Sequence, residues 1–404
     1  VADDPASDTG ELTLAQVAAR AGVSAATVRR WVAAGVVPGY EGRWTPAAAA
    51  YARVIARLRA RGHTLEQIKR AGEAGQLAAG PLENLLSRPG PRRSVRDAAR
   101  LSGLSTEMIE RIFTTTGLGL PPDGLSDEDV QILKYAAAVL DAGLPLPAFV
   151  QLMRVYGQAV AQIADAEVRL IHLYVHEPLM RSGVPNVAIA DEMEGLTRDV
   201  LPFATPFMNY FHERLLAQFV EQDMIGHMEA DINQDSPLQQ GRVRVAIAFA
   251  DLAGYARLTV ERGDEAALDA VERFVGAVEH TLPVDARVIK MLGDEVMVVG
   301  SDVAALTAWA VELESDVAPE DPLPRIGIHY GEALYRDGDY FGRDVNQAAR
   351  VVARAGGGEV LVTRPVVETA AGVDGLEFRR IGEVLLKGFS EPTERFSAAL
   401  AEDA

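Results

Sequence analysis

The hydrophobic pattern of this chain changes period at Gly241, and that change constrains its architecture more than any single motif does. Before it, apolar residues return at i, i+3 and i+4, the spacing of a buried helix face. After it come short runs of strand character, RVRVAIAFADL, DARVIKML, DEVMVVG, PRIGIHYG, GGEVLVT and IGEVLLKG, with helical stretches between them. The pattern predicts an all-α N-terminal half followed by an α/β or α+β sandwich. The polar stretch EADINQDSPLQQG, residues 229–241, reads as the linker. At 404 residues the chain has room for two or three domains, and 48% hydrophobic content is enough for their cores.

Composition removes several function classes. The chain has no cysteine, so disulfides, iron–sulfur clusters and thiolate zinc sites are excluded, and a reducing cytoplasm is the expected location. The most apolar stretch, from Tyr135, is interrupted by Asp141, Pro145 and Pro147, so no membrane span is expected. The first ten residues lack the basic and apolar regions of a signal peptide. The net charge of −19 opposes wholesale nucleic-acid binding, but residues 1–95 hold 13 Lys/Arg against 8 Asp/Glu. Any DNA contact is expected there.

From Leu12 the stretch TLAQVAARAGVSAATVRRWVAAGVV has two helical repeats around an Ala-Gly-Val-Ser turn, with Ser24 placed to cap the second. On a helix-turn-helix, Ser24, Thr27, Arg29, Arg30 and Trp31 would lie on the second helix, the one that reads a major groove. The turn GYEGRWT follows, with Arg43 in it, and then one long helix, AAAAYARVIARLRARGHTLEQIKRA. This order, ending in RARGHTLEQI, resembles the DNA-binding domain of the MerR family of regulators over about 65 residues. The resemblance implies DNA contacts from Ser24, Thr27, Arg29, Arg30 and Arg43. The wing is poorer in basic and aromatic residues than that family's usual wing.

The same pattern returns 81 residues later: Gly22-Val23-Ser24 becomes Gly103-Leu104-Ser105, Thr45 becomes Ser126, Gly62 becomes Gly143 and Leu65 becomes Leu146. Glu107 and Glu110 replace Ala26 and Arg29 in the copy, and acids there repel phosphate, so the copy is expected to be structural or regulatory. Residues 157–227 then read as apolar helices. His172 and His176 stand at i, i+4, a spacing that can hold a metal, but no third ligand is evident and an amphipathic surface is the simpler reading. Phe203, Phe207, Met208, Tyr210 and Phe211 read as core or dimer contact, or as the lining of a pocket for an apolar small-molecule effector.

In the C-terminal half, charge interrupts two strands. AFADLAGY places Asp251 where the first strand leaves the sheet, and KMLGDEVMVV makes a hairpin with Leu292-Gly293-Asp294 at its tip. Two carboxylates at strand exits of one sheet can meet over its edge, as hard oxygen ligands for two divalent ions must. Glu295 is expected to point away as an ordinary hairpin residue.

FADLAGY, KMLGDEVMV and DGDYFGRDVNQAARV together resemble the catalytic motifs of the class III adenylyl cyclases, and the similarity extends over residues 242–400. The spacing carries it: a Lys four before the hairpin Asp, an Asp seven before an Asn, and an Arg four after that Asn. The resemblance implies a ferredoxin-like α+β catalytic domain. It assigns Asp251, Asp294 and the Leu252 carbonyl to two Mg²⁺ or Mn²⁺ ions per active site. Lys290 and Asp339 would read the adenine of ATP, Asn346 would orient the ribose, and Arg350 would stabilise charge on the α-phosphate and the leaving pyrophosphate. Lys387 would contact the terminal phosphates. It further implies a head-to-tail homodimer, with the metal acids of one chain facing the base-binding residues of the other.

These readings predict a helix-turn-helix domain over residues 1–87, a second repeat with a helical regulatory and dimerisation region over 88–228, and a catalytic domain over 242–404. The expected function is conversion of ATP to 3′,5′-cyclic AMP and pyrophosphate. The competing expectation is a DNA-binding transcription regulator whose cyclase domain responds to nucleotide. His172, His176, His212 and His227 make pH a further expected input.

Overall fold

The computed structural model describes residues 12–37, 44, 46–73, 91–122, 124–181, 186–232, 238, 241–317, 322–373 and 375–401. Arg43, Thr45, the expected boundary at 87/88 and residues 233–237, 239 and 240 of the expected linker lie outside them. The chain divides into two compact units, Val1–Arg214 and Leu215–Ala404.

The first unit is helical: α1 (Leu14–Ala21), α2 (Ala25–Ala33), α3 (Pro46–Ala60), α4 (Leu65–Glu73), α5 (Val95–Ser102), α6 (Thr106–Thr115), α7 (Asp127–Asp141), α8 (Leu146–Ile171), a π-helical turn His172–His176, and α9 (Glu177–Arg181). The division falls inside α10 (Asn186–Ile232). Local chemistry sets these boundaries. Ser24 Oγ accepts from Thr27 N at 3.1 Å to start α2, and Gly22 ends α1 at φ +66°. The long helix expected after the wing is instead two, because Gly62 turns left-handed at φ +93° and Thr64 and Gln67 cap α4 reciprocally, at 2.8 and 3.2 Å.

The 81-residue repeat is a repeat of structure. The isolated bridge Leu12–Trp44 returns as Arg93–Leu125, and the α1 cap Thr13 as Ser94. Buried positions correspond as well, Val17 with Ala98, Val28 with Ile109, Trp31 with Ile112, Ala52 with Leu133, and Ile68 with Phe149. Each copy therefore has its own small core, assembled from the same helix faces.

One expectation for the helical stretch changes, that the aromatic cluster forms a core. His172 and His176 lie in the π-helical turn with their rings stacked 5.2 Å apart, and among the described residues no group of three or more His, Asp or Glu side chains could hold an ion. Phe203, Phe207, Tyr210 and Phe211 are each more than half exposed, so they do not form a core within the chain. The helix containing them continues through Pro202 and Pro206. No described helix is long and apolar enough to cross a membrane.

The second unit is built on β1 (Arg242–Leu252), α11 (Tyr255–Arg262), α12 (Asp264–Thr281), β2 (Ala286–Leu292), β3 (Glu295–Gly300), α13 (Val303–Val317), β4 (Pro324–Arg336), β5 (Asp339–Phe341), α14 (Arg343–Val352), β6 (Glu359–Thr363), α15 (Arg364–Ala370), β7 (Leu376–Leu385) and β8 (Pro392–Leu400). The sheet order is β2-β3-β1-β4-β6-β8-β7, with β5 paired to β4. Its first four strands with their intervening helices make the ferredoxin-like arrangement expected for this half.

β1 is apolar and buried from Val245 to Ala250 because both of its faces are covered there. Ala246, Ala248 and Ala250 pack with Phe274 of α12 and Trp309 of α13, while Val245, Ile247 and Phe249 pack with Val345, Ala348 and Val352 of α14. Two glycines of β4 allow α14 to lie this close. A Cβ on Gly327 would run into the Val352 backbone, and one on Gly331 into the Asp344 carboxylate, which accepts from Glu332 N at 2.8 Å.

Candidate active site

The hairpin of KMLGDEVMVV is real, with β2 and β3 antiparallel and the Gly293-Asp294 turn between Leu292 and Glu295. A register shift between Val288 and Lys290 leaves Ile289 as an extra residue, a bulge of the kind that re-aims the side chain after it. Lys290 Nζ donates to Asp339 Oδ2 at 2.6 Å. Asp339 is delivered by a second hairpin, β4 to β5, whose Asp337-Gly338 turn has positive φ at both residues, 55° and 79°. Two residues 49 apart in sequence therefore meet as a half-buried ion pair.

Asp251 and Asp294 also come together. Burial pushes the Asp294 carboxyl above the usual range and the charge of Asp251 adds to it, against the backbone N–H groups of Asp294 and Leu252. Glu295 is part of this cluster: it is half-buried, and burial together with the charges of Asp251 and Asp294 raises its carboxyl. One residue that sequence reasoning missed compensates the acids. Arg325 of β4, in register with Asp251 on β1, grips that carboxylate with two nitrogens, Nε to Oδ1 and Nη2 to Oδ2, the second at 2.8 Å. The hydrogen bond to Asp251 holds its guanidinium above the usual range.

This donor set fits divalent cations. Three carboxylates face one guanidinium, which leaves uncompensated negative charge and hard oxygen atoms. One or two carboxylates are the usual protein share for Mg²⁺ when a nucleotide phosphate supplies other oxygens, and Asp251 and Asp294 offer that number.

Asn346 and Arg350 are exposed on one side of α14, while Val345, Ala348, Val351 and Val352 on the other side are buried. Among the described residues neither the Asn346 nor the Arg350 side chain makes a hydrogen bond or ion pair with the chain. Lys387 stands in an exposed turn after β7, whose neighbours Leu386 and Phe389 pack on Val351 and so bring the turn to α14. In the first unit, Ser24, Arg29 and Arg30 are exposed, whereas Thr27 is half-buried with its hydroxyl 2.9 Å from that of Ser24.

Residues 239–397 match the family described as Adenylate and Guanylate cyclase catalytic domain, and residues 32–218 match Adenylate cyclase regulatory domain. The second match begins inside α2 and takes in most of the stretch compared above with the MerR family, so the helical half is identified with a cyclase regulatory domain. The chain is 27% identical over 346 residues to a pH-sensitive adenylate cyclase of Mycobacterium tuberculosis (strain CDC 1551 / Oshkosh), covering 83% of this chain and 85% of that one. It is 29% identical over 294 residues to an adenylate cyclase of Streptomyces coelicolor, covering 71% and 74%. The crystal structure of the adenylyl cyclase CyaB from P. aeruginosa aligns at 22% identity and TM-score 0.37, over 41% of this chain and 98% of that one.

The second unit thus contains a class III nucleotidyl cyclase catalytic domain, preceded in the chain by an adenylate cyclase regulatory domain. The protein is an adenylate cyclase enzyme.

Proposed function

We propose that the chain converts ATP to 3′,5′-cyclic AMP and pyrophosphate at two equivalent sites, each shared between two copies of the chain. The observation that carries this reading is the state of α14. The Asn346 and Arg350 side chains stand exposed, with no partner among the described residues, on a helix whose other face is buried, so they are available to a ligand or to a second copy. The exposed Phe203, Phe207, Tyr210 and Phe211 support a second copy, because an apolar face of this kind is normally covered.

In this reading Lys290 donates to an adenine ring nitrogen and Asp339 accepts from the exocyclic amino group. Asn346 orients the ribose, and Arg350 stabilises negative charge that grows on the α-phosphate and the leaving pyrophosphate. Lys387 meets the terminal phosphates. Asp251, Asp294 and the Leu252 carbonyl hold Mg²⁺ or Mn²⁺, which when bound supplies charge neutralisation of the phosphates and activation of the 3′-hydroxyl. Arg325 keeps Asp251 oriented. The helical half, residues 1–228, acts as the regulatory and dimerisation region, with the two repeats as packing modules.

Mixing two inactive full-length chains tests the shared site. Asp294→Ala and Arg350→Ala each lack one half of it, and twofold pairing leaves one intact site in each mixed dimer, so an equimolar mixture should regain about a quarter of the wild-type rate. A mixture that exchanges subunits yet stays inactive refutes a site shared between copies.

A further inference from the structure

Beside the pair proposed to read adenine lies a contact that neither residue makes. Tyr340 follows Asp339 on β5 and is buried, and its backbone N–H donates to Asp339 Oδ1 at 2.8 Å. On β2, three residues before Lys290, Arg287 donates from Nη2 to the Tyr340 hydroxyl. The Arg287 guanidinium carbon lies 5.7 Å from the Tyr340 ring centroid and 5.1 Å from that of Phe219, on the last turns of α10. The same stretch of helix is tied to the approach to β2 by Gln218 and Gln222, whose amides donate to the Val284 carbonyl at 3.4 and 2.7 Å.

β2 is the edge strand on its side of the sheet, and β5 is attached only to β4, with β3 and β1 between. No strand ladder therefore joins β2 directly to β5, and none pairs Lys290 with Asp339. The polar contacts that reach directly from β2 to β5 among the described residues are Arg287–Tyr340 and the Lys290–Asp339 pair itself, beside the packing of Ile289 in the cluster that holds Tyr340.

We infer that Arg287, clamped between Phe219 and Tyr340, is a positioning residue that sets purine selectivity by fixing the spacing of Lys290 and Asp339, and that it makes this spacing depend on the end of α10. Arg287 does not touch the nucleotide. It acts through Tyr340 and the backbone of Asp339, and the inference rests on the adenine-reading role proposed above.

The test measures kcat and KM of the full-length chain with ATP and with GTP. Arg287→Met should raise the KM for ATP and lower the ATP-over-GTP ratio of kcat/KM by about tenfold, the scale of loss expected when remote support for a positioned group is removed. Arg287→Lys, which keeps a cation over Phe219, should recover part of that ratio. Tyr340→Phe, which keeps the buried ring and loses only the hydroxyl, should shift the ratio the same way by a smaller factor, and it remains informative where Arg287→Met fails to fold. Phe219→Leu should move the ratio although it lies outside the sheet. Equal falls in both kcat/KM values, with the ratio unchanged in Arg287→Met and Tyr340→Phe, would mark a merely structural contact and overturn the inference. The double variant Lys290→Ala, Asp339→Ala separates the two claims. If it leaves the ratio unchanged, the adenine-reading role itself fails; if it moves the ratio and the Arg287 and Tyr340 variants do not, only the inference fails.

Discussion

Replacing Asp294 with Asn should stabilise the metal-free protein while it destroys activity, and the opposite signs make this a demanding test of the site. Burial, and then the charge of Asp251, raise the Asp294 carboxyl. A group whose folded pKa is raised contributes stability below its unfolded value and loses it as pH rises through the folded value, so at neutral pH the ionised side chain works against the fold. Asparagine keeps an acceptor for the backbone N–H groups and removes the charge. Asp294 is partly exposed and its interactions are screened, so the gain is on the order of a few tenths of a kcal/mol, about 1 °C in the melting of the catalytic unit. Mn²⁺ should reverse the order. A cation at a hundred times its Kd stabilises wild type by ~2.7 kcal/mol, a shift of several degrees that Asp294→Asn should largely lose. Cyclic AMP formation should fall by at least ~10²-fold, the cost of removing one group that stabilises a transition state electrostatically. The assays are melting curves with and without Mn²⁺ at pH 7 and cyclic AMP production from ATP. A variant that melts lower without metal, or that keeps both the metal shift and the activity, refutes the reasoning.

Gly331→Ala should disrupt the seat of α14, because a Cβ there meets the Asp344 carboxylate; a loss of ~1–3 kcal/mol in chemical denaturation is expected, and an unchanged midpoint contradicts the packing described. For Asp344 itself, burial raises the carboxyl, but the neighbouring His329 ring, 3.8 Å away, and the Glu332 N–H outweigh it and hold it below the usual range. Its stabilisation is therefore present above about pH 4 and is lost as pH falls through the lowered value. Asp344→Asn should flatten the acid side of the stability–pH profile below pH 4, and a profile that still parallels wild type there argues against this account.

How much of this was legible in the sequence depended on whether the signal was local. Ser24 announced a helix start, and the 81-residue offset predicted a second copy whose cap at Ser105 and buried positions then matched the first. Lys290, Asp294, Asp339, Asn346 and Arg350 were singled out by the resemblance to cyclase motifs, whose fixed intervals a hairpin and a helix convert into fixed positions. What escaped depends on register between distant strands. Arg325 reaches Asp251 across β1 and β4, from 74 residues away, and nothing in PRIGIHYG says which residue it will face. Gly331 accommodates a carboxylate thirteen residues on, in a helix that packs over it. Glu295 was read as an ordinary hairpin residue because alternation gives a face and not the charge of what shares it. The break at Gly62 was legible and was outweighed by the continuous helical period around it; the repeat itself carried the clue, since Gly143 is its counterpart and also turns left-handed, at φ +101°.

The self-pairing of Lys290 with Asp339 bears on how a cyclase of this kind would choose its purine. Without nucleotide each charge satisfies the other at 2.6 Å, so neither is left unpaired in a half-buried place. In the role proposed for the pair, an adenine edge would offer an acceptor to the lysine and a donor to the carboxylate, so binding would exchange one ion pair for two charge-assisted hydrogen bonds at little net cost. A guanine edge offers a carbonyl and an N–H in the reverse order. Inserting it would separate the pair and leave both charges facing like partners, a cost of several kcal/mol in a partly desolvated site. Selectivity would then come mainly from the penalty on the wrong base, and that penalty is large only while the lysine and the carboxylate are kept from following the base edge. A pair that could spread by an ångström would let water or a shifted base relieve it. The bulge at Ile289, the Asp337-Gly338 turn and the Arg287–Tyr340 contact all oppose that movement, which explains why so much local structure surrounds two side chains that could have formed an ion pair without it.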